Sequence, residues 1–318
     1  DYGRGLRTWR LRAAASYFGA PSLDATFPGV GLFHATDHLL PRLRSARSVF
    51  TLHDLAFVHF PQHFTPRNRM YLRTMVPRFL ERADRVIVVS EHTREDVVAQ
   101  YGLDPARVHV VPEGVDPRFR PDPDPSAIET VRRRYGLPPR TILYVGTIQP
   151  RKNLTTLVDA FARIRARHPD AGLVIAGAKG WLYEPFLRRL RDPDIGPSVV
   201  LAGRVAEADL PALFAAAELF VYPSLFEGFG LPPLEAMASG TPVVCSDATS
   251  LPEVVGDAGL LVPPLDVDGW AAAIERLLGD EDERARLRAA GIARAGGFTW
   301  DEAARRTAAV YAAVGGAG

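Results

Sequence analysis

Cysteine is nearly absent. Cys245 stands alone in 318 residues, so no internal disulfide can form and no cysteine cluster can hold a metal. A reducing, cytosolic compartment is the expectation. Lysine is scarce too: Lys152 and Lys179 are the only two, and the remaining basic charge is arginine. The places where lysine is kept therefore draw attention. Neither sign of charge dominates, with 38 Lys+Arg against 37 Asp+Glu, which removes the electrostatic footprint of a nucleic-acid binder. Long apolar runs are lacking. Leu213 to Phe226 comes nearest, broken by Glu218 and Pro223, and a bilayer span needs roughly 18 apolar residues. No signal peptide is visible. The chain starts at Asp1 rather than Met, with Arg-rich and weakly patterned residues, and the reading is of a chain whose first segment is missing.

Two nucleotide signatures are also missing. No G-x-x-x-x-G-K-[ST] occurs, which argues against a P-loop NTPase. Gly29-Val30-Gly31 lacks a third glycine and a preceding strand, which argues against a nicotinamide dehydrogenase.

What is present is an alternation of short apolar runs with helical patterns, the mark of doubly wound α/β sheets. The length suits about two domains. Expected strands in the first half are Val49–Leu52, Val86–Ser90 and Val108–Pro112, with helices at Arg67–Arg82 and His92–Gln100. Asp116 to Ser126, with Pro117, Pro121, Pro123 and Pro125, reads as a linker. The second half is expected to place strands at Ile142–Val145, Leu173–Ala176, Val199–Leu201, Leu219–Tyr222, Val243–Cys245 and Leu260–Val262. Leu154, Leu157, Val158, Phe161 and Ile164 recur at helical spacing. Trp270–Leu278 and Arg284–Ala290 read as surface helices and Trp300–Val314 as a last helix. The expected domains are residues 1–120 and 121–298, with the helix of 299–318 packing back toward the first. A cleft between them would put ligands at the carboxyl ends of the strands.

Three stretches sit there. Glu227-Gly228-Phe229-Gly230-Leu231-Pro232-Pro233-Leu234-Glu235 follows one strand and opens a helix. Its glycines let a ligand approach the backbone, and N–H groups at a helix start suit a diphosphate. Glu235, a turn on, can accept from ribose hydroxyls. Gly146-Thr147-Ile148-Gln149-Pro150-Arg151-Lys152-Asn153 follows another strand. Cations at a helix start oppose its dipole, and make more sense with an anion between. His53-Asp54 ends a strand of the first domain. It suits a sugar or acceptor hydroxyl, and equally a structural histidine beside an N-cap aspartate.

Phe226-Glu227-Gly228-Phe229-Gly230-Leu231-Pro232 through Glu235-Ala236-Met237-Ala238, with Gly146 and Arg151-Lys152-Asn153-Leu154, resembles the family-4 retaining glycosyltransferases. Pro112-Glu113-Gly114-Val115-Asp116 and Phe298-Thr299-Trp300 resemble further motifs of that family. The resemblance implies a GT-B fold, two Rossmann-like parallel-sheet domains facing a cleft, the first incomplete here. It implies Glu227 on the donor-sugar hydroxyls and the backbone of Gly228, Phe229, Gly230 and Leu231 at sugar and phosphate. Glu235 would take the ribose, Arg151 and Lys152 the diphosphate beside Gly146, and Val205 after Arg204 the nucleobase. His53 would stand beside the transferred sugar, with Asp54 on the acceptor side. This chain departs from the family at Thr147, where many relatives carry Arg, and in lacking an N-terminal Gly-rich loop, which Tyr2–Arg12 does not supply.

The implied reaction moves a sugar, with retention, to an acceptor hydroxyl of a glycan or lipid-linked glycan. It needs no metal and no cofactor. The motifs look most like mannosyltransferases of polysaccharide assembly, so GDP-mannose is the first expected donor and a UDP-sugar the second. Arg67, Arg69, Arg73, Arg78 and Arg82 on one helix read as a solvated face, with contact to anionic lipid at the inner membrane face as the other option. Other readings are a nucleotide-sugar epimerase, a phosphorylase holding pyridoxal phosphate on a lysine, or a non-catalytic nucleotide-sugar-binding subunit.

Overall fold

A computed structural model describes residues 11–315 apart from 194, 196 and 197; the N-terminal stretch expected to lack the Gly-rich loop lies largely outside them. The chain forms two compact units, one of residues 1–112 with 301–318, the other Glu113–Trp300. Among the described residues no helix is long and apolar enough to cross a membrane.

The first unit holds a four-stranded parallel sheet in the order β1-β2-β3-β4. Its strands are β1 (Leu32–Ala35), β2 (Arg47–Leu52), β3 (Arg85–Val88) and β4 (Val108–Val110). Alternate residues of β2 and β3 serve opposite faces, as the period of two requires. Phe50, Leu52, Val86 and Val88 pack with Leu72, Met75, Val76 and Phe79 of helix Pro66–Arg82. Val49 and Ile87 pack with Ala303, Val310 and Val314 of helix Trp300–Gly315. Strand β1 was not foreseen. Its first three residues are only half-buried and a histidine interrupts them, so no apolar run marks it.

The second unit holds a six-stranded parallel sheet in the order β10-β9-β8-β5-β6-β7. The strands are β5 (Arg140–Val145), β6 (Ala171–Ala176), β7 (Val199–Gly203), β8 (Leu219–Tyr222), β9 (Val243–Ser246) and β10 (Leu260–Val262). All six residues of β6 are buried, as expected of a parallel strand covered on both faces. The chain runs outward from β5 to β7, then returns to the other side of β5 with β8. The strand order therefore reverses between β5 and β8. Ligands of open α/β sheets bind at such a switch point, outside the carboxyl ends of the strands.

Two expectations are corrected. The units part at Pro112 and Glu113, ahead of the proline-rich stretch, which belongs to the second unit. Its last proline is the first residue of helix Pro125–Tyr135, where Asp124 Oδ1 accepts from Ser126 N–H at 2.9 Å. That helix docks through Val131 onto Ala212 and Ala216. Trp270–Leu278 is also more than a surface helix. Trp270 is fully buried in helix Val267–Gly279, and Ile274 and Leu277 are with it.

Candidate active site

The switch point is lined by the loops after β5 and β8. Arg151 and Lys152 sit in the first, on a single 3-10 turn, Pro150–Lys152. They stand just ahead of the next helix, which begins at Leu154 as expected. Asn153 intervenes in the left-handed conformation, φ 55°, and turns the chain into helix Leu154–Ile164. Its amide holds the turn by donating to the carbonyls of Pro223 at 3.1 Å and Pro264 at 2.6 Å. Asparagine tolerates this backbone better than other side chains.

Glu227 comes from the loop after β8 and is 8% exposed. A buried carboxylate is costly unless paired and hydrogen-bonded. Lys152 Nζ donates to Glu227 Oε1 at 2.5 Å and to Tyr222 Oη at 2.6 Å. Arg151 Nη1 donates to Glu227 Oε2 at 3.1 Å and also to the Phe226 carbonyl. Ser224 Oγ donates to Glu227 Oε1. Burial alone would raise the Glu227 pKa, but the charges of Lys152 and Arg151 outweigh it and hold the carboxyl at about 2. The same cluster is braced from below. Tyr222 stacks on Tyr144, ring centres 5.8 Å apart, and Lys152 Nζ lies 5.0 Å from the Tyr222 ring centre.

The backbone after Glu227 is clamped by a third loop. Glu227 N–H donates to Thr249 Oγ1 at 3.0 Å, and Ser250 Oγ donates to the carbonyls of Glu227 at 3.0 Å and Phe229 at 2.8 Å. The Phe229 ring is buried against Phe298, centres 5.8 Å apart. Its backbone is thus what it offers a ligand. Gly230 has φ 127°, and a Cβ there would press on Leu251.

Helix Leu231–Ala238 begins here, with the two prolines at its second and third positions. Proline has no N–H, and Leu234 N–H is taken by the Gly230 carbonyl at 3.3 Å. The anion-binding helix start expected from sequence is therefore reduced to the Gly230–Leu231 peptide edge. Glu235 lies one turn on. Burial pushes its carboxyl up to about 7, with Arg118 opposing and nearby Asp116 adding to the rise.

Gly146 follows β5 at φ 154°, and a Cβ there would lie 2.6 Å from the Tyr144 hydroxyl. Arg204 and Val205 follow β7, the former exposed and the latter half-buried. Among the described residues no group of three His, Cys, Asp or Glu gathers as a metal site would.

The family model for group 1 glycosyl transferases matches residues 139–280, and that for glycosyltransferase family 4 matches residues 7–119. O-antigen chain mannosyltransferase B of Escherichia coli is 35% identical over 286 residues, 88% of this chain and 74% of that protein. The chain belongs to the family-4 glycosyltransferases. A D-inositol 3-phosphate glycosyltransferase of Corynebacterium kroppenstedtii is 35% identical over 290 residues, 86% of this chain and 63% of its own length. Among solved structures, sucrose-phosphate synthase of Thermosynechococcus elongatus superposes with TM-score 0.77 at 28% identity, over 93% of this chain and 76% of that one. The two parallel-sheet units are thus those of a GT-B fold.

In the first unit of this glycosyltransferase, His53 Nε2 lies 2.9 Å from the Thr36 carbonyl. A carbonyl only accepts, so the proton is on Nε2. Asp54 Oδ1 accepts from Ala56 N–H at 2.9 Å, a local turn bond just ahead of helix Ala56–His59, whose N-cap is Leu55 and not the aspartate. Sequence reasoning missed His34, because it missed β1. His34 bonds Tyr311 Oη at 2.6 Å through Nδ1 and Thr51 Oγ1 at 2.8 Å through Nε2. Burial, then the neighbouring His53, lower its pKa. Missed in the second unit were Ser224, Tyr222, Thr249 and Ser250, common residues whose role exists only once the fold gathers them around Glu227.

Proposed function

We propose that this glycosyltransferase moves a hexose, with retention, from a nucleoside diphosphate sugar to a hydroxyl of a glycan or lipid-linked glycan. GDP-mannose is the favoured donor, a UDP-sugar the second choice. The observation that carries the proposal is the convergence of Arg151, Lys152 and Glu227 at the β5/β8 switch point. The mannosyltransferase relative supports the choice of sugar.

In this reading the donor diphosphate shares the two cations now held by Glu227. Their charge stabilises the leaving nucleoside diphosphate, so the step draws on no metal ion or cofactor. Glu227, ionised at neutral pH, accepts from the sugar hydroxyls. Glu235 accepts from the ribose. The acceptor oxygen bonds to the anomeric carbon on the face from which the phosphate oxygen departs. The departing phosphate takes the acceptor proton. An α-linked glycoside results from an α donor. His53, with its proton on Nε2 and its ring held at Thr36, keeps its role toward the sugar in this reading on family resemblance alone.

The test is thermal stabilisation by a panel of nucleoside diphosphates and their sugars. A ligand that binds the native state raises the midpoint by mass action. GDP and GDP-mannose are expected to raise it, and Glu235→Ala to remove most of the response. No shift with any nucleotide contradicts the proposal.

A further inference from the structure

Strand β4 is an edge strand of the first unit, and a groove of about 430 Å³ runs along it. Its walls are helix Glu91–Tyr101, β4 itself and helix Trp300–Gly315. Val108, Val110 and Val310 supply an apolar side. Arg94, Arg305 and Arg306 supply the charge. The carboxylates beside them lie in the same helices. Arg305 and Arg306 share Glu302, whose Oε1 lies 2.7 Å from each. Arg94 reaches Glu91 at 3.4 Å, longer than an ordinary N–H···O bond. Exposed pairs one turn apart on a helix are weak, so these guanidiniums can turn to a stronger anion.

His109, in the middle of β4, lines the same groove. Its Nε2 is buried and has no hydrogen-bond partner. Buried polar atoms are normally satisfied, and an orphan calls for a reason. The charged groups around this ring are Arg85 of β3, Glu91 and Arg94 of one helix, and Arg305 and Arg306 of the other, with Glu302 behind them. Burial, then Arg85 and Arg94, lower its pKa. Positive charge thus gathers at a nitrogen that can donate, as the neutral Nε2–H form or as the imidazolium.

We propose that this groove binds a phosphate monoester, its phosphate between Arg94, Arg306 and His109 and its body against the valines of β4. A phosphate monoester carries up to two negative charges and three acceptor oxygens, and guanidiniums match it with paired bonds. The volume lies within the range of small-molecule sites, roughly 300–1,000 Å³, and exceeds what a bare phosphate ion fills. Bound there, the ligand bridges the last helix to β4 and to helix Glu91–Tyr101. The site is independent of the donor reading above.

The experiment is calorimetry on the whole chain with mannose 6-phosphate, inorganic phosphate and mannose, alongside NMR of the histidine ring protons. Mannose 6-phosphate is expected to bind, inorganic phosphate more weakly and mannose not at all, and the His109 pKa is expected to rise in the complex. Arg94→Gln combined with Arg306→Gln is expected to weaken mannose 6-phosphate about tenfold or more, the scale of one lost charged hydrogen bond. Glu302→Gln releases Arg305 and Arg306 and is expected to tighten it, a gain that a merely structural role for these arginines does not give. Should the double variant fail to fold, Glu302→Gln and the His109 titration still decide. Binding that is unchanged in the double variant belongs to cations elsewhere and overturns the proposal. So does a wild-type chain that binds no mannose 6-phosphate, or a complex in which the His109 pKa stays where it was. Equal affinity for inorganic phosphate and mannose 6-phosphate makes the ligand a free ion and overturns the ester.

Discussion

Glu227 and Glu235 are both acids on the same loop–helix segment, and the fold drives them in opposite directions. Glu227 sits at about 2 against an ordinary value of 4.5. Its folded pKa is depressed, so its ion pairs contribute stability that is complete above 4.5 and is lost as pH falls toward 2. Acid unfolding is therefore expected to flatten over that window in Glu227→Gln, followed by circular dichroism. Removing a partner is worse than removing the charge. Lys152→Met leaves a buried carboxylate with only Arg151 and Ser224, and is expected to cost about 2–3 kcal/mol by denaturant unfolding, somewhat below the ~3–5 kcal/mol of a fully broken buried pair. Adding Glu227→Gln to Lys152→Met should recover part of that loss.

Glu235 titrates at about 7, above its ordinary 4.5. Here the protonated form is favoured in the folded state. Glu235 therefore lowers stability progressively as pH rises from 4.5 to 7, and no further beyond. Binding follows the opposite sense. If the ribose needs the carboxylate, nucleotide affinity rises through pH 7, and Glu235→Gln is expected to remove that rise. Calorimetric titrations at pH 6 and pH 8 check it.

At the level of elements, the site is a set of loops pinned by a few irregular residues. Asn153 makes the turn that carries Arg151 and Lys152, and its amide ties that turn to two other loops. Asn153→Ala loses both bonds and keeps a strained backbone, so a loss of about 2–3 kcal/mol is expected by denaturant unfolding. A Cβ on Gly114 would overlap the backbone of Thr299 and Trp300, where Val115 N–H meets the Phe298 carbonyl at 3.0 Å. This junction joins Gly114 and Val115 of one short family motif to Phe298, Thr299 and Trp300, which resemble the start of the family's C-terminal helix.

These elements show where sequence was legible and where it was not. Strand β8, buried throughout, lies where the apolar run puts it, since a covered parallel strand reads as a plain hydrophobic stretch. The convergence of Glu227 with Arg151 and Lys152 followed from their places after two strands. Strand β1 was illegible because an edge strand with half-buried faces has no such run. The helix of 231–238 was legible, but its missing donors were hidden by treating proline only as a helix starter. The support of Glu227 by Ser224, Tyr222 and Thr249 depends on contacts between loops, which no local pattern encodes.

For the whole molecule, the division of labour follows from sheet topology. The second unit reverses its strand order between β5 and β8, and the charged cluster lies there. The first unit keeps a simple sequential order and closes one face with the chain's last helix. Deleting residues 301–315 uncovers Val49, Ile87 and Val111. It is expected to unfold the first unit while the second keeps its near-ultraviolet dichroism and its response to nucleotide.

The proposed sugar transfer with retention from a nucleoside diphosphate donor is tested directly by proton NMR of the anomeric region. Incubating the full chain with GDP-mannose and a panel of mannoside acceptors is expected to release GDP and build one new α-anomeric signal, both lost in Glu227→Ala. A β-anomeric product, or consumption of the donor to a sugar phosphate with no glycoside formed, would contradict it.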